Sequence, residues 1–281
     1  MQNRLRGRTL TAIVETGAAL LADKVVVIIG GTSGLGLSAT KACAAAGAKV
    51  VAVGLPGEDA ASLADPLRAD ACLFATGDAR DPATAESAVA EALKKFGGFH
   101  ALYHVAGGSG RAHGDGPLDQ LTDDGWKFSV DLNLTTVFNS NRAAARQFLK
   151  QGTGGAVLNI TSVLAFFPSP TYFATHAYAA AKAGVIGMTR AAAAHYAPKN
   201  IRFNAISPAL VDTPMAARAV NDPAIQKFIR TKQPLDGGRV GRAQDLDAAV
   251  VFLLSDAARF VTGQVLSVDG GWSVSDGQVP A

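Results

Sequence analysis

Long hydrophobic runs are absent from this 281-residue sequence, and so are dense clusters of a single charge. A helix that crosses a bilayer needs about 20 consecutive apolar residues, and no stretch of the chain approaches that length. The formal net charge is only +3, and the lysines and arginines form no block. Proteins that bind nucleic acid usually have a concentrated basic patch. We therefore expect neither a membrane nor a nucleic acid among the partners of this protein.

Cysteine is scarce as well, since Cys43 and Cys72 are the only two. Cys43 lies in an alanine-rich stretch and Cys72 begins a strand-like run. We therefore expect both to pack as small apolar side chains rather than to form a disulfide or bind metal. His100 and His104 add no metal pair, because they fall four apart on a predicted strand and not on a helix. This cysteine usage is typical of a reducing compartment and predicts a cytoplasmic protein.

The composition, with 48% hydrophobic and 17% charged residues, is typical of a globular domain with a substantial core. The chain has no internal repeat and no linker-like segment, which predicts a single domain over residues 21–281. Residues 1–20 form an N-terminal extension with three arginines and a single acid, Glu15. That composition fits either an organelle transit peptide or an arm that packs on the domain, and we favour the arm.

Short apolar runs alternate with alanine-rich stretches along the chain. The runs predict strands at Lys24–Ile29, Lys49–Val53, Cys72–Thr76, Ala101–Val105, Ala156–Thr161, Ile201–Ser207 and Val265–Val268. The stretches between them predict helices at Leu35–Ala46, Ala83–Phe96, Ala177–Tyr196 and Asp245–Leu254, and a long helix within Trp126–Leu149. Strands that alternate with helices form parallel sheets covered on both faces. The sequence therefore predicts a single-domain, doubly wound α/β Rossmann fold with a parallel sheet of about seven strands.

Two long segments, Gly107–Leu121 and Ser207–Arg242, are predicted as loops. In a doubly wound sheet, ligands bind to the loops at the carboxyl ends of the strands. We expect the second segment to form a lid over the cofactor, with a small helix at Ala216–Val220. His113 and His176 flank the expected substrate cleft and are candidates to touch a ligand.

The run from Ile28 to Gly36 follows the first strand and opens the first helix. Gly30, Gly34 and Gly36 allow a tight turn and a close approach of a pyrophosphate to the backbone. The amide groups at the helix N-terminus favour such an anion. Glycines alone also fit a plain strand–helix turn, but the strand before them and the helix after them favour a dinucleotide site.

The end of the second strand normally selects between the two nicotinamide cofactors. An acid there binds the ribose hydroxyls, whereas an arginine nearby accommodates a 2′-phosphate. Gly54 and Leu55 stand at this position, and the turn Gly31–Ser33 contains no base. A 2′-phosphate therefore lacks a cationic partner, which favours NAD over NADP. Glu58 and Asp59 follow as candidates to reach the ribose.

Tyr178 and Lys182 form the one Tyr-x-x-x-Lys pair of the chain. Residues four apart lie on one face of a helix. An ammonium near a phenol favours the phenolate, so we expect Lys182 to lower the pKa of Tyr178 from its usual value of about 10. Such a pair acts as an acid or base on a carbonyl or alcohol oxygen. An incidental pair on a surface helix is the alternative that these two residues leave open.

Other residues that carry chemistry follow the predicted strands or lie in the predicted long helix. They are Asp78 and Ala79 after the third strand, Ala106 and Gly107 after the fourth, Asn133 in the long helix, Ser162 after the fifth, and Pro208, Ala209, Val211 and Thr213 after the sixth. The C-terminal part adds Phe252–Asp256, Thr262–Gly263 and Val268–Gly271. With the glycine turn and the tyrosine–lysine pair in this order, the chain resembles the short-chain dehydrogenase/reductase family over Leu21–Trp272. Within that family it is similar to the 3-oxoacyl reductases.

The resemblance implies four catalytic residues. Ser162 would hydrogen-bond the substrate oxygen and Tyr178 would exchange the proton. Lys182 would hold the ribose hydroxyls, and Asn133 would support a chain of waters that refills the proton. The implied cofactor site comprises Gly30, Thr32, Ser33, Gly34, Leu35, Gly36, Asp78, Ala79, Ala106, Gly107, Tyr178, Lys182, Pro208, Val211 and Thr213.

Three features depart from the family pattern. The gap between Ser162 and Tyr178 is longer than usual, and we expect the surplus to form a longer substrate-side loop that leaves the serine at its strand end. Ala209 replaces a glycine near the nicotinamide. Val105 replaces an asparagine whose side chain usually braces the central strands.

The resemblance implies an NAD(P)-dependent oxidoreductase for a small-molecule ketone or secondary alcohol, with a ketone or 3-oxoacyl reductase as the leading hypothesis. An NAD-dependent alcohol or polyol dehydrogenase that works in the oxidative direction is the alternative, because the same residues serve both directions. A catalytically silent nucleotide-binding scaffold is a third hypothesis, against which the intact catalytic residues argue. The resemblance also implies a homotetramer or homodimer, with the helices at Trp126–Leu149 and Ala177–Tyr196 at one interface and the C-terminal strand at another.

Overall fold

The computed structural model describes residues 19–56 and 70–277. The strands of these residues are β1 (Val25–Ile29), β2 (Lys49–Gly54), β3 (Cys72–Thr76), β4 (Ala101–His104), β5 (Gly155–Ile160), β6 (Ile201–Pro208), β7 (Val211–Asp212), β8 (Gly241–Arg242) and β9 (Val265–Val268). One sheet contains seven of them in the order β3-β2-β1-β4-β5-β6-β9, and every neighbouring pair is parallel. This confirms the predicted doubly wound fold. The strand order reverses between β1 and β4, where such a sheet opens a crevice.

The helices of the described residues are α1 (Gly34–Ala45), α2 (Pro82–Phe96), α3 (Asp123–Val130), α4 (Thr136–Gln151), α5 (His176–Tyr196), α6 (Ala217–Val220), α7 (Pro223–Lys232) and α8 (Asp247–Leu254). Local chemistry sets several of their ends. For α2, the Asp81 side chain accepts a hydrogen bond from the Ala83 amide, and Gly97 ends the helix with φ +73°. Both are common end signals, since an acid satisfies free amides and glycine tolerates the left-handed conformation.

The core consists of two apolar layers, one on each face of the sheet. Val26 and Ile28 of β1 face α1 and α8, whereas Val25, Val27 and Ile29 face α2 and α4. Because both faces of a parallel sheet are covered, its strands are apolar throughout instead of alternating with polar residues. This explains why the predicted strands were continuous apolar runs.

The segment Trp126–Leu149, predicted to contain a long helix, does contain one, α4, but the shorter helix α3 precedes it and a wide turn separates the two. Helix α3 ends at Val130, a π turn spans Asp131–Thr135, and α4 begins at Thr136. Periodicity does not reveal the interruption, because a single wide turn shifts the helical phase by only one residue.

The predicted lid contains more structure than expected. The small helix predicted at Ala216–Val220 corresponds to α6, but α7 and the strand pair β7–β8 fall in a segment that was predicted as a loop. The loop was predicted because the segment contains several prolines, but proline can also begin a helix. Pro223 occupies the first turn of α7, and the Asp222 side chain accepts hydrogen bonds from the Ala224 and Ile225 amides. Proline is favourable at the first helical position, where no amide is needed.

Other sequence predictions can be compared with the described residues. Cys43 and Cys72 are buried and free, and burial raises the pKa of the Cys43 thiol to about 12. The described ranges contain no helix that is long and apolar enough to span a membrane, and no cluster of three or more metal-ligating side chains. The N-terminal extension, residues 1–20, lies outside the described residues except for its last two. The domain assignment over residues 21–281 stays a prediction.

Candidate active site

A cavity of about 540 Å³ opens at the carboxyl edge of the main sheet. Its walls come from the segments that follow β4, β5 and β6 and from helix α5. This is the edge at which doubly wound sheets bind their ligands. The lining includes the four predicted catalytic residues Asn133, Ser162, Tyr178 and Lys182, which the fold brings together from three separate elements.

Tyr178 and Lys182 lie one turn apart on α5, with the lysine Nζ 5.6 Å from the centre of the phenol ring. Lys182 is buried, and its Nζ donates a hydrogen bond to the carbonyl oxygen of Ile160 at 3.2 Å. Burial lowers the pKa of Lys182 to about 8, because desolvation disfavours the charged form. Burial also raises the pKa of Tyr178, which a hydrogen bond with Ser162 lowers to a smaller extent. The expectation that Lys182 lowers the pKa of Tyr178 is therefore wrong for this structure, since desolvation of the phenolate prevails.

Ser162 follows β5 in an extended conformation, with φ −160° and ψ 150°. Its hydroxyl oxygen accepts a hydrogen bond from the Leu164 amide at 3.2 Å, and this contact begins the 3₁₀ turn Val163–Ala165. The surplus residues before Tyr178 form a loop after this turn, so the serine stays at the end of its strand. Phe173 from this loop forms one wall of the cavity.

Asn133 lies in the π turn between α3 and α4 and is fully buried. Its Nδ2 donates hydrogen bonds to the carbonyl oxygens of Gly108 (2.9 Å) and Ser129 (3.0 Å), and its Oδ1 accepts one from the Gly108 amide (3.0 Å). The site is tight, because a Cβ at Gly107 would lie 2.8 Å from Oδ1 and 3.4 Å from the Nζ of Lys182. Both amide protons of Asn133 are thus used within the protein, and only Oδ1 has capacity left for a water.

Asp115, in the loop after β4, is a buried carboxylate that no sequence motif marks. Its Oδ1 accepts a hydrogen bond from the Ala177 amide (3.1 Å), and its Oδ2 accepts from the Tyr178 amide (3.0 Å) and the Ser129 hydroxyl (3.0 Å). A carboxylate on the first amides of a helix satisfies free donors and complements the helix dipole. Asp115 therefore holds the first turn of α5, which carries Tyr178. The sequence contained one sign of this role, since Asp115 is the only acid in the glycine-rich segment 107–117.

His104, at the end of β4, braces the centre of the fold. Its Nδ1 lies 2.7 Å from the Ser140 hydroxyl, and its Nε2 lies 3.1 Å from the Ala106 carbonyl oxygen and 3.3 Å from the Thr136 hydroxyl. Burial lowers its pKa to about 3, so the ring is neutral at ordinary pH. Val105 was expected to leave the central strands without a bracing side chain, and His104 provides that bracing instead.

The glycine turn is shaped for a ligand that approaches the backbone closely. Gly30 has φ +90° and Gly34 has φ +48°, conformations that favour glycine. A Cβ at Gly30 would lie 2.6 Å from the Ala106 amide nitrogen, and a Cβ at Gly36 would overlap the Gly30 carbonyl oxygen. Ser33 precedes α1 without a capping side-chain hydrogen bond, so its hydroxyl leaves the first amides of the helix to another acceptor. These features fit the pyrophosphate of a dinucleotide.

Thr213 of the lid lies beside the glycine turn and also lines the cavity, so the turn and the cavity are adjacent. A Cβ at Gly34 would lie 3.5 Å from the Cγ2 of Thr213. The predicted cofactor residues that line the cavity are Leu35, Gly107, Tyr178, Lys182, Pro208, Val211 and Thr213. Those outside its lining are Gly30, Thr32, Ser33, Gly34 and Gly36 on the turn, Ala106 beside it, and Asp78 and Ala79 after β3.

Asp78 lies beyond the end of β3 and forms an ion pair with Arg80 at 2.6 Å. The hydrogen bonds from this guanidinium lower the pKa of Asp78. At the end of β2, Gly54 and Leu55 offer no charged side chain to a ribose. The two acids that were candidates for this contact, at positions 58 and 59, lie outside the described residues.

Two arginines that sequence reasoning missed, Arg111 and Arg218, also line the cavity. No local pattern could have found them, because they belong to loops that follow different strands. The two candidate histidines do not line the cavity. His113 stacks on Phe128 with ring centres 3.7 Å apart, and His176 is exposed at the start of α5.

This chain is similar in sequence and in fold to known dehydrogenases and reductases. Residues 30–273 match the family model described as enoyl-(acyl carrier protein) reductase. A 2,5-dichloro-2,5-cyclohexadiene-1,4-diol dehydrogenase of Sphingobium indicum is 36% identical, covering 90% of this chain and 98% of that protein. A 3-oxoacyl-[acyl-carrier-protein] reductase of Chlamydia trachomatis is 33% identical, covering 90% and 99%. A gluconate 5-dehydrogenase from Burkholderia cenocepacia, solved with NADP and tartrate, is 32% identical and covers 91% and 97%, with a TM-score of 0.81.

Proposed function

Because this chain belongs to the short-chain dehydrogenase/reductase family, we propose that it reduces the ketone of a small molecule to a secondary alcohol. As a member of that family, it is an oxidoreductase that acts on CH–OH or C=O groups. The observation that carries the proposal is the meeting of Asn133, Ser162, Tyr178 and Lys182 in one cavity at the carboxyl edge of the sheet. Two relatives indicate the substrate range, since one is named for a six-membered cyclic diol and another for a 3-oxoacyl group.

Each residue of the site has a role that follows from its contacts. A nicotinamide dinucleotide bound at this site would supply or accept the hydride. Tyr178 donates its proton to the substrate oxygen in reduction, and the raised pKa of its phenol keeps that proton in place at neutral pH. Ser162, which is hydrogen-bonded to Tyr178, orients the same oxygen. Lys182 lines the cavity one turn further along α5, where it would hold the ribose hydroxyls of the cofactor. Asn133 fixes the loop after β4 through its hydrogen bonds with Gly108.

The proposed cofactor is NAD rather than NADP. Gly54 and Leu55 end β2 without a cation for a 2′-phosphate, which supports this preference. The gluconate 5-dehydrogenase neighbour was solved with NADP, so the preference must be measured on this chain. Fluorescence titration with NADH and NADPH decides it, and we expect NADH to bind about tenfold more tightly, because NADPH would place its 2′-phosphate without a partner.

The central test of the function is Tyr178→Phe. Removal of the acid should lower kcat/KM for ketone reduction by about 100-fold to 10,000-fold, while NADH binding and the circular dichroism spectrum stay unchanged. Tyr196→Phe is the matched control, because Tyr196 lies at the far end of the same helix and packs on Phe203. Turnover above one-tenth of the wild-type rate in Tyr178→Phe would remove the tyrosine from the mechanism.

The oxidative direction is the second candidate function. The dehydrogenase names of two relatives favour it. Rates with NAD and a secondary alcohol, compared with rates for NADH and the matching ketone at neutral pH, separate the two directions. A protein that binds the cofactor and turns over neither substrate would instead support the scaffold hypothesis.

The proposal also includes an oligomeric state and a cellular location for the protein. Trp126 is exposed on α3, and Phe138 and Leu149 are exposed on α4. Leu266 is exposed on the edge strand β9. Apolar side chains at these two places support a homotetramer, or at least a homodimer, which light scattering tests directly. The two free, buried cysteines support a cytoplasmic protein.

A further inference from the structure

Two arginines stand at the wall of the substrate cavity, on separate loops. Arg111 lies in the 3₁₀ turn Arg111–His113 after β4, and Arg218 lies on α6 of the lid after β6. The two loops approach each other, because a Cβ at Gly108 would lie 3.8 Å from the Sδ of Met215. Both guanidinium groups therefore border the same space.

Neither guanidinium is paired with an acid in the described part of the chain. Arg111 donates no side-chain hydrogen bond there, and Arg218 donates only one, at 3.4 Å, to the carbonyl oxygen of Tyr172. Two other arginines of the chain form close ion pairs. Arg80 lies 2.6 Å from Asp78, and Arg239 lies 2.6 Å from Asp245. The cavity arginines thus keep most of their donors free.

The charges of the cavity are all of one sign. Its described lining contains Arg111, Arg218 and Lys182 but no aspartate or glutamate. The nearest loop acid, Asp115, already accepts three hydrogen bonds, from Ser129 and the start of α5. Partial burial lowers the pKa of Arg111, and the like charge of Arg218 lowers it further, which reflects repulsion between the two cations, while Asp115 raises it to a smaller extent. An anion placed between them would remove that repulsion.

We propose that Arg111 and Arg218 form an anion subsite, and that the natural substrate is a ketone or secondary alcohol that also carries a carboxylate. The inference rests on the proposed function and adds the class of its substrate. Arginine pairs with planar carboxylates through two parallel hydrogen bonds, which gives both affinity and orientation. A cavity of about 540 Å³ with apolar walls admits a small organic acid, whose carboxylate lies at the arginines and whose carbonyl lies at Tyr178.

The pyrophosphate of the cofactor is the competing occupant. The glycine turn and the first amides of α1 already provide a site for it. Arg218, in contrast, contacts the loop between Ser162 and Tyr178, on the side of the cavity where the substrate binds. We therefore place the arginines against the substrate and leave the cofactor as an outcome that the experiment can reveal.

The test compares an acid with its neutral ester. Wild type, Arg111→Gln and Arg218→Gln are assayed with NADH and 4-oxocyclohexanecarboxylate, and with the methyl ester of that acid. We expect wild type to prefer the acid by at least about tenfold in kcat/KM, and each variant to lose about tenfold or more on the acid but less than about twofold on the ester. Arg230→Gln is the matched control, because Arg230 is exposed on α7 and does not line the cavity.

Several results would overturn the proposal. An equal loss on the acid and the ester would make the arginines structural, and a raised KM for NADH in the variants would assign them to the cofactor. A wild-type preference for the ester would remove the anion subsite altogether.

A binding measurement keeps this inference separable from the proposed function. Calorimetric titration of the NADH complex with cyclohexanecarboxylate and with cyclohexanecarboxamide needs no turnover. Tighter binding of the acid in wild type, lost in both variants, supports the subsite even if neither ketone is reduced. Equal binding of the acid and the amide contradicts it even if ketones are reduced.

Discussion

Two cavities of similar size lie at opposite edges of the main sheet. The cavity at the carboxyl edge measures about 540 Å³ and the one at the amino edge about 580 Å³. The second is lined by residues at or just before the starts of β1, β4, β5 and β6, among them Lys24, His100 and Arg202. Volume therefore does not distinguish the candidate active site from the rest of the molecule.

The partners of the polar groups do distinguish the two cavities. At the amino edge, Lys24 lies 2.9 Å from Asp256, His100 accepts a hydrogen bond from the Val25 amide at 2.9 Å, and Arg202 donates to the carbonyl oxygen of Ser255 at 3.1 Å. Among the described residues of the carboxyl edge, Arg111, Arg218 and Lys182 form no ion pair with an acid. Polar groups that are already satisfied hold a fold together, whereas unsatisfied charges in a cavity are available to a ligand.

The largest effect is expected at Lys182, the buried cation of the carboxyl edge. Its pKa falls from 10.5 to about 8 on burial. The folded state therefore binds the proton less tightly than the unfolded state does, and the charge destabilises the fold at neutral pH. Lys182→Met should raise the free energy of unfolding by about 3 kcal/mol near pH 7. Turnover should fall by at least about 100-fold, because the variant loses the proposed contact with the cofactor ribose.

The pH dependence provides the control for this prediction. As the pH rises from about 8 to about 10.5, wild-type Lys182 loses its proton on folding, so the wild type gains stability relative to the variant. The difference measured by urea unfolding should shrink to about 1 kcal/mol near pH 10. A difference that is the same at both pH values would mean that packing, and not the buried charge, separates the two proteins.

The next effect is expected at Asp115, which positions Tyr178 through the backbone of α5. Asp115→Asn keeps the shape but removes the charge and part of the accepting capacity. We expect kcat to fall by about tenfold to 100-fold, with an unchanged KM for the cofactor, and stability to fall by about 1 kcal/mol. The matched control is Asp81→Asn, since Asp81 caps α2 in a similar way away from the substrate cavity.

The control separates positioning from general loss of stability. If Asp81→Asn loses the same stability with full kcat, the effect at Asp115 comes from the placement of Tyr178. If both variants keep full kcat at saturating cofactor, Asp115 has only a structural role.

The smallest effect is expected at the amino edge. The ion pair of Lys24 and Asp256 is partly exposed, with side-chain exposures of 26% and 71%. Lys24→Met should change the free energy of unfolding by less than about 1 kcal/mol, less still in high salt, because solvent screens such pairs. Steady-state kinetics should be unchanged. A change in kcat/KM above about twofold would mean that the amino-edge cavity is coupled to the site and that the contrast between the two edges is incomplete.

Much of the fold was predictable from local patterns. The seven strands of the main sheet were found as apolar runs, and the glycine turn marked the start of the candidate cofactor site. The π turn around Asn133 was not predictable, because it interrupts a helix whose amphipathic pattern continues on either side. Helix α7 was missed because Pro223 was read as a loop residue, although proline also begins helices.

The sequence by itself determined the family and the doubly wound fold and predicted the candidate catalytic residues, because strand periodicity, the glycine turn and the tyrosine–lysine spacing all lie within short stretches of chain. Only the tertiary structure decided the electrostatics of the site. The pKa values of Tyr178 and Lys182 depend on burial, which the spacing of two residues does not reveal. The positions of Asp115, Arg111 and Arg218 around the site likewise required the folded chain, because they lie in segments after β4 and β6 whose placement is set by packing rather than by local sequence.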